Sequence, residues 1–259
     1  MKISNNLTVT LIQSDIKWED KLKNLENFQE KISSIQENTD LIILPEMFST
    51  GFSMIPNNLA ETMTGDSVKW MIQMAQLKNA NICGSLIIKE NDNFYNRLIV
   101  VSPNGDITHY DKKHLFTYSG EDKHYTPGDK RVIVDINGWK INLQVCYDLR
   151  FPVFVRNNND YDVILYVANW PVSRRLAWLT LLQARAIENQ SYVIGVNRIG
   201  SDPKNSYGGD SSVINALGEV IYQKKLYSDV KTIELSKQLL DKSRNYFPFL
   251  KDRDSITLE

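Results

Sequence analysis

The feature that most constrains the fold is a set of short apolar runs with no alternation. LIIL (residues 41–44) and VILYVA (residues 163–168) are apolar at every position. A strand with one wet face alternates apolar and polar residues, so a continuous run suits a strand covered on both faces. The runs are strand-sized, far short of the roughly 20 apolar residues that a membrane-spanning helix needs. The chain is therefore expected to build buried sheets, and no transmembrane helix is expected.

Between these runs lie helical patterns. Leu22, Leu25, Phe28, Ile32 and Ile35 recur every three or four residues, as do Val68, Met71, Ile72 and Ala75, and each set predicts an amphipathic helix. A third helix is expected over about 174–189. LTVTLI (7–12), ICGSLII (82–88), RLIVVS (97–102), VIVDI (132–136) and KINLQV (140–145) read as strands, with PNGD at 103–106 a turn and Asn137-Gly138 a hairpin signature. YVIGVN, SSVIN, EVIYQ and VKTIEL continue in mainly β structure, with Gly218 in a turn. Strands outnumber helices, which suggests sheets covered by helices. With no internal repeat, low-complexity tract or linker, residues 1–259 are read as one domain. After Ser236 comes a short helical stretch and then an aromatic-rich tail, a candidate for packing on a partner subunit.

Composition removes several function classes. The net charge is −1, so the basic surplus usual in nucleic-acid binders is absent. Two cysteines, Cys83 and Cys146, make no disulfide framework. The first residues, MKISNNLTVTLIQSD, lack the apolar core and cleavage site of a signal peptide. A cytoplasmic protein with reduced thiols is expected, binding neither nucleic acid nor membrane. HExxH, Cys-rich, GxGxxG, P-loop and GxSxG patterns are missing, so neither a metal nor a nucleotide cofactor is expected, nor a serine nucleophile.

Three polar residues stand just beyond apolar runs: Glu46 after LIILP, Lys112 after ITHYD and Cys146 after KINLQV. Strand ends are rigid places from which a side chain can emerge. Each residue alone is commonplace, and Cys83 reads as a small buried hydrophobe. Together they are chemically complete. A thiol becomes a strong nucleophile on losing its proton, a partly desolvated carboxylate can take that proton, and an ammonium can hold the negative charge that develops on an attacked amide oxygen. His114 could in principle pair with a cysteine, but in KKHLF it reads better as ordering a turn or lining the rim.

LPEMFSTGF around Glu46, YDKKHLF around Lys112 and NLQVCYDLRFP around Cys146 resemble the three signatures of the nitrilase, or carbon–nitrogen hydrolase, superfamily. The intervals, 66 residues and then 34, also fit. The resemblance implies an α+β fold, a four-layer αββα sandwich, with Glu46, Lys112 and Cys146 as catalytic triad and Glu121 of SGEDKHYTPG as a second glutamate. It also implies an assembly of at least two subunits, so a homodimer is expected. CYDLRFP and the segment from NWP (169–171) onward look like the omega-amidase branch, which hydrolyses the terminal amide of 2-oxo dicarboxylic monoamides. An N-carbamoyl amidohydrolase, an aliphatic amidase or a non-catalytic binding protein of the same fold stay open as alternatives. Phe52, Phe116, Tyr147 and Trp170 are candidate pocket walls. Arg174 or Arg175 is expected to hold a substrate carboxylate, because a guanidinium offers paired donors; Arg185 reads as structural.

Overall fold

The computed structural model describes residues 4–255. In chain order the main elements are β1 (Asn6–Gln13), α1 (Lys21–Ser33), β2 (Leu41–Ile43), α2 (Pro56–Leu59), α3 (Asp66–Lys78), β3 (Asn81–Glu90), β4 (Asn93–Val101) and β5 (Ile107–Asp111). There follow β6 (Ile133–Ile136), β7 (Trp139–Val145), β8 (Val163–Ala168), α4 (Arg175–Asn189), β9 (Tyr192–Asn197), β10 (Ile199–Ser201), β11 (Ser206–Ile214), β12 (Val220–Lys225), β13 (Asp229–Ser236) and α5 (Lys237–Tyr246).

These strands form two sheets. One runs β13-β1-β2-β3-β4-β5 and the other β10-β11-β9-β8-β7-β6, with β12 paired to β11. The centre of each is parallel: β1, β2 and β3 in the first, β7, β8 and β9 in the second. The sheets pack face to face. Leu41 and Ile43 of β2 join Leu143, Val145, Val163 and Leu165 of the other sheet in one core. The alternate residues Ile42 and Leu44 turn the other way, into a second core with Phe28 and Ile32 of α1 and Val68 and Met71 of α3. Ile164 and Tyr166 of β8 likewise meet Trp178 and Leu182 of α4 in a third. Both faces of β2 and β8 are thus dry, which is why these two strands are apolar at every position. The result is a helix–sheet–sheet–helix sandwich, the α+β fold that the resemblance implies.

One helical expectation needs correction. Leu22 is 74% exposed. Stepping roughly 100° per residue places Leu25, Phe28 and Ile32 on one stripe and swings Leu22 about 100° from its centre. α2, β10 and the continuation of ITHY into a full edge strand carry no strong local pattern.

Strand direction sets the site. β2, β7 and β8 end at the same rim, and β5, antiparallel to β4, also ends there. The residues just past these ends are Glu46, Cys146, Asn169 and Lys112, so they meet where parallel strands present their carboxyl ends.

Candidate active site

Lys112 is the hub. Its Nζ lies 3.1 Å from Glu46 Oε1 and 3.0 and 2.9 Å from the two oxygens of Glu121. All three side chains are at most 1% exposed. Buried charges survive only when paired and hydrogen-bonded, and this cluster meets that condition. Asn96, deep in β4, donates to Glu46 Oε1 at 2.7 Å and to Glu121 Oε1 at 3.3 Å. Its own oxygen accepts from Ser85 Oγ, which in turn accepts from the Met47 backbone N–H. The Phe116 N–H donates to Glu121 Oε2 at 2.6 Å. The Asn169 N–H donates to Glu46 Oε2 at 2.8 Å, and the Asn169 amide donates to the Glu46 carbonyl at 2.6 Å. Gly84 lets the Glu46 turn lie close, because a Cβ there would stand 2.8 Å from Phe48.

Cys146 sits at a backbone elbow with φ +44°, a left-handed conformation that costs about 1–2 kcal/mol in a non-glycine residue. Asp148 braces the elbow. Its carboxylate accepts from the Val145 N–H, the Tyr110 hydroxyl and the His114 N–H. His114 Nδ1 lies 2.7 Å from the same carboxylate, and its ring stacks on Phe151 at 3.8 Å. His114 is therefore a scaffold residue here.

Burial pushes the Cys146 thiol well above its ordinary pKa; the neighbouring Glu46 carboxylate adds to this and Lys112 opposes it. The thiol is thus held toward its neutral form. Burial disfavours the Lys112 cation, but Glu121 and Glu46 together outweigh that and raise its pKa. Burial also raises Glu121, with Lys112 pulling the other way.

A cavity of about 530 Å3 opens above the thiol, lined by Lys112 and Cys146 at its floor. Phe52, Phe116, Tyr147 and Trp170 all line it, as does Arg174. Lys112 Nζ lies 5.1 Å from the Phe52 ring centroid, and Phe116 packs on Tyr147 at 4.9 Å. Arg175 is not brought to the cavity. Its guanidinium is committed to Asp210 through bonds of 2.6 and 2.8 Å, which overturns it as a carboxylate binder. Arg185 donates to the Leu149 carbonyl at 2.6 Å. Among the described residues no group of His, Cys, Asp and Glu is arranged to hold a metal ion.

Several residues of the site escaped the sequence. Asn96 and Asn169 hold Glu46 from 50 and 123 positions away; Asn96 has no local pattern to mark it, and NWP marked Asn169 as part of a motif without showing that it holds Glu46. Arg150 lines the cavity and lies inside CYDLRFP, where its charge among apolar neighbours was a usable signal. Trp18, from the loop before α1, and Tyr207, at the start of β11, complete the wall from positions far apart in sequence.

Comparison with known proteins agrees with this geometry. The carbon–nitrogen hydrolase family model matches residues 8–245. The chain is 46% identical to the omega-amidase YafV of Escherichia coli strain K12, covering 97% of this chain and 98% of that one. It is 28% identical to the 2-oxoglutaramate amidase of Bacillus subtilis strain 168, covering 95% and 96%. A crystal structure of a CN-hydrolase superfamily protein from Xanthomonas campestris, with an arsenic adduct in its active site, superposes with a TM-score of 0.96 at 39% identity, covering 99% of this chain and all of that one. Two stacked sheets, a buried Glu-Lys-Glu cluster and a cysteine elbow at their shared rim thus coincide with a match over nearly the full length, and the chain belongs to the carbon–nitrogen hydrolase family.

Proposed function

We propose that this enzyme is an omega-amidase, releasing ammonia from the terminal amide of 2-oxo dicarboxylic monoamides such as 2-oxoglutaramate through a thioester on Cys146. The observation that carries the reading is the Cys146 elbow at φ +44°, opening on the same cavity as Lys112, which is bonded to Glu46. The names of the full-length relatives support the substrate class.

Glu46, held through Oε1 by Lys112 and Asn96 and through Oε2 by the Asn169 N–H, takes the thiol proton as sulfur attacks the amide carbon. Lys112 and the Tyr147 N–H hold the oxyanion. The C–N bond then breaks, and Glu46 passes the proton to the departing nitrogen, which leaves as ammonia. Water, deprotonated by Glu46, attacks the thioester; the acid leaves and the thiol is restored. Glu121, bonded to Lys112 through both oxygens, keeps the ammonium aimed at the oxyanion. Phe52, Phe116, Tyr147 and Trp170 enclose the substrate, and Arg174 takes its remote carboxylate.

The same reading places the enzyme in the cytoplasm, in keeping with two free thiols. It also makes the chain a homodimer, with the exposed tail aromatics Tyr246 and Phe249 as contact residues; sedimentation equilibrium tests the assembly. The activity is tested by ammonia release from 2-oxoglutaramate, glutamine, a nitrile and an N-carbamoyl amino acid. 2-Oxoglutaramate is expected to give the highest kcat/KM, and a higher value for any of the others would overturn the reading.

A further inference from the structure

The arginines divide into two kinds. Apart from Arg150 and Arg174, every arginine among the described residues donates a side-chain hydrogen bond to a protein oxygen. Arg150 and Arg174 donate none, and both line the cavity. Each instead lies against an aromatic face: the Arg150 guanidinium carbon stands 5.1 Å from the Trp170 ring centroid, and that of Arg174 stands 4.9 Å from Phe116. Trp170 links the two, since its indole N–H donates to the Arg174 carbonyl at 2.8 Å. Aromatic contact steadies a guanidinium and leaves its N–H donors unspent.

The carboxylates of the same wall already accept hydrogen bonds from within the protein. Glu19 accepts from Ser53 Oγ at 2.6 Å, and Asp202 accepts from the N–H groups of Lys204 and Asn205 at 2.7 Å. Among the described residues neither forms an ion pair with Arg150 or Arg174. The rim therefore has two unspent guanidiniums, with the Lys204 ammonium beside them on the same wall, facing the space that a substrate's far end would fill.

We propose that Arg150 and Arg174 form a two-guanidinium clamp that selects a 2-oxo acid end and rejects a 2-amino acid end. The inference rests on the omega-amidase reading and deepens it. Arg174, half-buried, takes the carboxylate through paired bonds; Arg150, exposed at the rim, donates to the 2-oxo oxygen. A 2-oxo carboxylate offers acceptors only. A 2-amino acid puts an ammonium where Arg150 stands, a donor facing a donor and a cation facing a cation, and such juxtaposition is a direct source of specificity.

The test is the ratio of kcat/KM for 2-oxoglutaramate over glutamine. Arg150→Met is expected to lower it by about tenfold or more, the loss of one modest charge-assisted contact. Arg150→Lys keeps the charge and should retain most of the ratio. Arg174→Met should lower kcat/KM for both substrates, since both carry the carboxylate. An unchanged ratio in Arg150→Met would overturn the clamp. A second measurement needs no variant: 2-oxoglutarate should inhibit the native enzyme at least about tenfold better than glutamate, and equal inhibition would also overturn it. A native enzyme that hydrolyses uncharged amides but not 2-oxoglutaramate would instead sink the omega-amidase reading, so the two failures are distinguishable.

Discussion

The first sheet and its following loop carry Glu46, Lys112 and Glu121, each sealed from solvent and bonded to the others or to Asn96 and Asn169. The second sheet carries Cys146 and Trp170, which face the cavity. Both halves use a left-handed residue at a strand end, but differently. In the first it is Met47, one residue past Glu46, and it turns the chain so that the carboxylate stays inside; in the second it is the cysteine itself. The charge-bearing half is closed and preorganised, as electrostatic catalysis in a low-dielectric site requires. The cysteine half is open, as the covalent step proposed for Cys146 requires.

The sharpest way to break this comparison is to remove the one group that crosses it. Cys146→Ala should lower kcat by about four orders of magnitude or more, as losses of a nucleophile do elsewhere, while the thermal unfolding midpoint stays near the native value. Ammonia release and a melting curve on the same preparation check both. Substantial remaining turnover would move the nucleophile elsewhere.

Within the closed half, Glu121→Gln should lower kcat by about a hundredfold with a smaller change in KM. In the proposed mechanism the carboxylate orients Lys112 toward charge that exists only in the transition state, so ground-state binding should depend on it less. Steady-state kinetics decide: a loss confined to KM would make Glu121 a binding residue.

How much of this was legible in the sequence differs between the halves in the same way. The strands could be read because burial on both faces writes itself as continuous apolar runs. Glu46, Lys112 and Cys146 could be read because each stands just past a strand within a recognisable motif. The closure of the first half could not, because Asn96 and Asn169 act through contacts 50 and 123 residues long. The same blindness explains Arg175. Two adjacent arginines look equivalent until the fold sets Asp210 beside one of them, 35 residues on.

A smaller effect sharpens the comparison through pH. The thiol is raised first by burial and then by the Glu46 carboxylate, with Lys112 pulling down. Glu46→Gln removes a charge that disfavours the thiolate, so the alkylation rate of Cys146 should rise at lower pH than in the native enzyme. Lys112→Met removes the opposing charge and should move the profile to higher pH. Iodoacetamide labelling across a pH series reads both directions. A shift of Glu46→Gln to higher pH would mean that the carboxylate promotes alkylation as a base more than it opposes the thiolate as a charge.

The smallest expected effect concerns the other cysteine. Cys83 lies in β3, one strand over from Glu46's β2, fully buried and packed into the core between the sheets. Burial alone raises its pKa, with no carboxylate or ammonium contributing. It is thus the same side chain as Cys146 with desolvation but without an elbow, a base or a cavity. Cys83→Ala removes one sulfur from a dry core and should cost about 1 kcal/mol of stability. Its kcat/KM should stay within about twofold of native, because a core change this small shifts the rim by less than catalysis can feel. Denaturant unfolding and kinetics on one preparation separate the two quantities. If Cys83→Ala lost activity in proportion to Cys146→Ala, burial would be enough to make a reactive thiol, and the contrast between the sealed and open halves would carry no chemistry.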